Sequence, residues 1–158
     1  MAGRSGFTLI ELIVTMGIFA VLVSIAVPGF STWIPGFKLK GAARDVYSNV
    51  QMAKLEAIKQ SKNCTVTTDK NAKTYSLVVN GTAIKTVLLA GYDSSITFDG
   101  QATSEITSAS ITFTSRGMVS ASGKIYLTNA RNSAYYLIEI SSAGSITLKK
   151  WNGTAWSN

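Results

Sequence analysis

Few side chains in this 158-residue chain are equipped for catalysis. It has no histidine and one cysteine, Cys64. Metal sites built from His and Cys are therefore excluded, and so is an intrachain disulfide. Beyond residue 30 the carboxylates are Asp45, Glu56, Asp69, Asp93, Asp99, Glu105 and Glu139. None is spaced from another as an acid–base pair, and no imidazole is available as a base. Serines are numerous, yet there is no Gly-x-Ser-x-Gly elbow. Asp93 and Asp99 offer oxygen ligands for calcium but lack the dense spacing of a calcium loop, so they read as solvated turn carboxylates. The residues predict a protein that is not an enzyme and uses no cofactor.

Two other groups carry chemistry of recognition. The C-terminal stretch Lys149-Lys150-Trp151-Asn152-Gly153-Thr154-Ala155-Trp156 interleaves cations with tryptophans. Single-stranded nucleic acid is held in this way, phosphates by charge and bases by stacking. Arg116 and Arg131 are further candidates for such a surface. The competing reading is an edge strand guarded by lysines with Trp151 laid on the sheet, and it is favoured. The net charge of +7 permits anionic partners, lipid headgroups included, but also describes scattered solvated lysines. Cys64 reads as a small buried hydrophobe at the start of a strand.

The second group is one residue, Glu11. It is the sole ionisable side chain between Phe7 and Val27, a run of 21 residues. As helix that run is about 31 Å long, close to a bilayer core of roughly 30 Å. A carboxylate within such a span costs roughly 2.5–3.5 kcal/mol and calls for a partner. The run is too long for a secretory h-region, and no small-x-small cleavage site follows a short apolar core. Charge alone does not orient it, because Arg4 precedes the run while Lys38, Lys40 and Arg44 follow it.

The stretch from Gly6 to Phe30, GFTLIELIVTMGIFAVLVSIAVPGF, resembles the N-terminal signature of type IV pilins and pseudopilins. Gly6, Phe7, Glu11 and Pro28 carry the match. The resemblance implies a prepilin peptidase cut between Gly6 and Phe7, N-methylation of Phe7, and a role for Glu11 and Pro28 in subunit assembly. In that reading the Glu11 carboxylate faces the freed amine of Phe7 on a neighbouring subunit. It also implies a leader on the cytoplasmic side of a bacterial inner membrane, crossed once, with the C-terminal domain periplasmic or extracellular.

The elements that must position these residues follow from periodicity. Pro28-Gly29 and Pro35-Gly36 interrupt helical patterning. Trp33, between Phe30 and Phe37, is an aromatic of the kind found at membrane interfaces. From Leu39 an apolar stripe recurs at Leu39, Ala43, Val46, Val50, Ala53 and Ala57, predicting an amphipathic helix that ends near Ser61-Lys62-Asn63. A nearly continuous helix over 7–60 would be roughly 80 Å long. After Cys64 the period becomes two. Strands are expected at 65–68, 74–79, 82–89, 95–98, 111–114, 124–128, 135–140 and 145–149, with Asn80-Gly81 as a hairpin turn. Residues 101–110 form a Ser/Thr-rich loop. The fold class is α+β: a long N-terminal helix, then an antiparallel β-sandwich or meander. The expected organisation is a leader at 1–6, an apolar helix at 7–30, an amphipathic helix at 31–62 and a β-rich domain at 63–158.

Val50-Gln51-Met52-Ala53-Lys54-Leu55-Glu56-Ala57-Ile58-Lys59 is similar to the helix end of the minor pseudopilin H and FimT/FimU-like minor pilins, the GspH/FimT group. Ile111–Gly117 and Tyr136–Gly144 are similar to its later strand and last hairpin. The DNA-binding Gly-Arg-x-Arg motif of some FimT-like pilins falls on Gly144-Ser145-Ile146-Thr147, where both arginines are missing. The resemblance therefore implies a structural subunit of a type IV pilus or type II secretion pseudopilus. Its partners would be other pilins, the prepilin peptidase and an inner-membrane assembly platform. A DNA-binding minor pilin and a major pilin are the alternatives, and the missing disulfide loop weighs against the latter.

Overall fold

The structure, a computed structural model, describes residues 7–99, 107, 110–131 and 134–157; the side chains of residues 27–32 are not described. Gly6, Glu105, the side chain of Pro28 and most of the expected loop at 101–110 lie outside the described residues.

A single α-helix, α1 (Leu9–Gln60), extends over 52 residues and passes through both proline–glycine pairs. The prolines do not end it as their local preference suggests. Proline removes one N–H and crowds one carbonyl, a local cost of about 3 kcal/mol that surrounding structure can offset. Pro35 is itself buried, and its carbonyl accepts a hydrogen bond from Asn129 Nδ2 at 3.5 Å. The end of α1 is also specified locally. Ser61 turns to φ 53°, its N–H donates to the Ile58 carbonyl, and the Lys62 N–H donates to that of Ala57. This is a Schellman cap, reached without glycine.

The chain divides into two compact units, Met1–Ile34 and Pro35–Asn158. In the first, every described side chain from Phe7 to Ala26 is exposed. Leu9–Ala26 is long and apolar enough to cross a membrane, by length and composition.

In the second unit, residues 35–60 of α1 are followed, among the described residues, by nine strands in two antiparallel sheets. One has the order β3 (Thr82–Leu88), β2 (Thr74–Val79), β1 (Cys64–Asp69), β5 (Ser110–Phe113). The other runs β4 (Ile96–Thr97), β6 (Gly123–Asn129), β7 (Ala134–Ile140), β8 (Ile146–Trp151), β9 (Trp156–Ser157). A 3-10 turn, Leu89–Gly91, follows β3. Asn80 and Gly81 both take positive φ, as a two-residue type I′ hairpin requires. The expected stripe Leu39, Ala43, Val46, Val50, Ala53 and Ala57 is wholly buried. It shares one core with Val66, Leu77, Ile111 and Phe113 of one sheet and Ile125, Leu127, Ile138 and Ile140 of the other.

A polar group is set into that core. Asn49 is almost fully buried; its Nδ2 donates to the Tyr75 hydroxyl at 2.7 Å and the Asp45 carbonyl at 2.9 Å. The Tyr75 hydroxyl donates to Asp45 Oδ2 at 2.6 Å, and Lys85 Nζ donates to Asn49 Oδ1 at 2.7 Å. Burial, and then the Asp45 hydrogen bond, push the Tyr75 phenol far above its ordinary value. Tyr75→Phe should cost about 1–3 kcal/mol, because it strips partners from a buried amide and a part-buried carboxylate. Chemical denaturation of the two proteins measures the difference; equal stability would show that these bonds add nothing.

Candidate assembly and interaction sites

At the start of α1 the Glu11 carboxylate is engaged by its own chain. Thr8 N and Thr8 Oγ1 each donate to Glu11 Oε2 at 3.1 Å, and Glu11 N donates back to Thr8 Oγ1 at 3.3 Å. This is a capping box, which satisfies N–H groups that the first helical turn otherwise leaves orphaned. The pattern Thr-x-x-Glu ahead of an apolar run was readable in the sequence, and the reading of Glu11 as a partner for another subunit overlooked it. All three bonds involve Oε2 and the Glu11 N–H. Oε1 carries no hydrogen bond among the described residues, so one carboxylate oxygen caps the helix and the other is open to a further donor.

A second constellation joins three segments distant in sequence. Lys54 Nζ of α1 donates to the Gly144 carbonyl at 2.8 Å, and Val119 N donates to the Ser142 carbonyl at 3.0 Å. Gly117 (φ 74°) and Gly144 (φ 77°) both hold left-handed backbone. A Cβ on Gly144 would lie 2.0 Å from the Gly117 carbonyl oxygen, and one on Gly117 would lie 2.8 Å from Ile58 Cδ1. The helix end, the turn after β5 and the β7–β8 turn are therefore locked at backbone distance. These are the three segments in which the sequence resembles the GspH/FimT group, so that resemblance tracks a packing requirement. Met52, Leu55, Ile58 and Met118 stay exposed around this junction.

The residues read as nucleic-acid candidates do not form one patch. Lys149 Nζ pairs with Glu139 Oε2 at 2.6 Å, and that bond is the main reason the Glu139 carboxyl sits below its ordinary pKa. Arg131 Nη1 lies 3.8 Å from Asp93 Oδ2, and Lys38 Nζ lies 3.7 Å from the same oxygen. Arg116 sits beside Gly117 at the β7–β8 turn end, whereas Lys150 pairs with Tyr136 toward the other end of the sheet. The separation along β8 from Gly144 is six residues, about 20 Å. Trp151 and Trp156 face each other across a short β8–β9 hairpin with ring centroids 5.2 Å apart, and Trp156 leans on Tyr126 at 5.8 Å. Asn152 Oδ1 accepts from the N–H groups of Thr154 and Ala155, closing that hairpin. Asn152-Gly153 was the available signal for it.

Asp99 is taken by Lys70 at 3.1 Å, and Asp93 accepts from Ser95 N and Oγ, so cations and hydroxyl meet both carboxylates considered for calcium. The Ser95 bonds, followed by the charges of Arg131 and Lys38, hold Asp93 below the usual value of 3.8. A depressed folded-state value means that the stabilisation is complete above the unfolded value and is lost as pH falls through the folded one. Thermal melts from about pH 7 to about pH 2 should show an acid limb that Asp93→Asn makes shallower. An identical limb in both proteins would remove Asp93 as its source. Cys64 opens β1 fully buried, and burial raises its thiol above the ordinary range.

With this geometry in view, sequence comparison places residues 42–144 in the family described as Type II transport protein GspH. The chain belongs to the GspH family. Residues 1–27 match the Prokaryotic N-terminal methylation motif, so this GspH-family chain carries the N-terminal signature of pilins and pseudopilins. Among solved structures it is similar to the type IV minor pilin FimU of Pseudomonas aeruginosa, at 18% identity and TM-score 0.55, covering 75% of this chain and 92% of that one. It is also similar to the minor pseudopilin EpsH from the Type 2 Secretion System of Vibrio cholerae, at 14% identity and TM-score 0.55, covering 70% and 95%. Comparison with curated proteins finds no match. The shared fold and the family agree with a pilin-type subunit, a helix followed by antiparallel sheets.

Proposed function

We propose that this GspH-family chain is a minor pilin or pseudopilin, a structural subunit of a type IV pilus or type II secretion pseudopilus. Cleavage after Gly6 and N-methylation of Phe7 mature it. The apolar part of α1 anchors it once in a bacterial inner membrane, with Pro35–Asn158 on the periplasmic side, until it enters a filament with other pilins through the assembly platform. One observation carries the reading. In the described part of the methylation motif every side chain from Phe7 to Ala26 is exposed, while residues 39–57 of the same helix α1 bury their stripe in the domain. Such a surface is completed by lipid or by other helices. Mass spectrometry of the protein from cells that hold the peptidase tests it. The mature chain should begin at methylated Phe7; an intact chain starting at Met1 would overturn the proposal.

A further inference from the structure

The end of the second unit that carries Pro35 collects an unusual set of side chains. Antiparallel register brings several turns there. β6 and β7 close at Asn129 opposite Ala134, and Asn129 reaches the Pro35 carbonyl. The turn after β1 joins them, since Lys73 Nζ donates to the Ser94 carbonyl at 2.6 Å, next to Asp93. Lys150 pairs with Tyr136, two residues along β7 from Ala134, and β8 then continues toward the same end into Trp151 and the hairpin holding Trp156. The opposite end, formed by the 80–81, 114–118 and 141–145 turns, has no tryptophan.

Charge at this end is incompletely neutralised. Lys38 and Arg131 share the single, nearly buried carboxylate of Asp93. Lys40 and Lys150 are exposed and take part in no ion pair among the described residues. Lysine and tryptophan together are the residues of a bilayer interface, the ring at headgroup depth and the ammonium on phosphate. Connectivity permits the contact: eight residues separate Val27 from Pro35, a stretch of at most roughly 29 Å however it is folded.

We propose that this end of the domain docks on anionic phospholipid headgroups of the bilayer that holds the apolar helix. Lys40, Lys150 and the half-neutralised Lys38–Arg131 pair meet the phosphates, and Trp151 and Trp156 lie at the interface. The proposal rests on the reading of residues 7–27 as a membrane span. It gives the basic aromatic tail a lipid partner in place of nucleic acid, because the tail shares its end of the fold with the point where the chain leaves the span. Docked, the domain stays against the membrane; release from the headgroups would accompany extraction into a filament.

The test uses the full chain with Trp33→Phe, so that Trp151 and Trp156 are the remaining tryptophans, excited selectively over tyrosine, inserted in vesicles of phosphatidylcholine with or without phosphatidylglycerol. A spin label on lipid headgroups reports contact by quenching. Quenching should be strong with phosphatidylglycerol and weak without it. It should fade with added salt, and Lys40→Gln and Lys150→Gln should each lower the docking constant about fivefold. Quenching indifferent to headgroup charge, or to both substitutions, would overturn the proposal. An alkaline carbonate wash separates the two readings. A chain that resists the wash but shows no charge-dependent quenching leaves the span standing and removes the docking, whereas a chain that washes off removes both. If a single-stranded oligonucleotide quenches these tryptophans in a salt-dependent way and anionic vesicles do not, the partner is nucleic acid and the lipid proposal fails.

Discussion

Glu11→Gln should insert in the membrane and be processed normally, yet enter filaments poorly. The amide keeps the geometry of the capping box, since its oxygen can still accept from Thr8 N and Oγ1, the two bonds made by Glu11 Oε2. What it loses is charge. In the proposed assembly that charge answers the methylated amine of Phe7 on a neighbouring subunit, and within lipid an unpaired ion is costly. Glu11→Ala removes both the charge and the cap, so it should assemble no better and also fray the first turn, at about 1 kcal/mol. Thr8→Ala supplies the converse, a weakened cap with the carboxylate retained. Counting subunits in sheared filaments, against total membrane-bound protein, separates the roles. Normal incorporation of Glu11→Gln beside poor incorporation of Thr8→Ala would make Glu11 a helix cap and nothing more. The open Oε1 is the reason to expect the opposite: in the proposed pairing a neighbour's amine would meet Oε1 while Oε2 holds the cap.

The largest stability loss is expected from Gly144→Ala. The added methyl would sit 2.0 Å from the Gly117 carbonyl oxygen, and that neighbour is backbone, so no side chain can swing aside. Left-handed φ adds roughly 1–2 kcal/mol for a residue with a Cβ. Displacing the turn also breaks the Lys54–Gly144 hydrogen bond, and bonds to charged groups contribute about 1.5–3 kcal/mol. Together these predict a loss of about 3–5 kcal/mol and a melting temperature lower by about 10 °C. Gly117→Ala should cost less, because its closest contact is the end of the Ile58 side chain, which can rotate. Circular-dichroism melts of the three proteins give the order; a Gly144→Ala protein within about 1 kcal/mol of the parent would show that the turns are not locked.

Both predictions bear on how far the chain could be read before folding. Local signals served well wherever the physics is local. The apolar run, the buried stripe from Leu39 to Ala57, the Asn80-Gly81 turn and the alternation of Thr74–Val79 each depend on neighbours within a few residues, and each appears in the structure as expected. Two local signals were passed over, the Thr8-x-x-Glu11 box and the Asn152-Gly153 hairpin. The prolines mark where local preference and the observed helix part. Helix propensity scores Pro35 by its own backbone, whereas its burial and its contact with Asn129 come from ninety-four residues further along the chain.

The interaction residues show the limit most clearly. Lys149 and Glu139 are ten apart, and they become a diagonal cross-strand pair only once Glu139 is set opposite Thr147 and Lys149 opposite Leu137. Arg131, Lys38 and Asp93 come from a turn, the helix and a loop. Composition counts these charges but cannot pair them, and only the fold shows that Lys149 is taken by Glu139 while Arg131 and Lys38 share Asp93.

The sequence by itself determined that this is a pilin-type chain: an apolar helix with one carboxylate behind a cleavage-type glycine, an amphipathic continuation and an antiparallel β domain. Those properties reside in residue type and short-range spacing, a period of 3.6 along the helix and of 2 along the strands, which makes neighbours predictable. Tertiary structure alone decided that Gly117 and Gly144 meet at backbone distance beneath Lys54, and that the tryptophan tail shares an end of the domain with Pro35. Register and turn placement bring those groups together, and they depend on pairings between strands that no local pattern encodes.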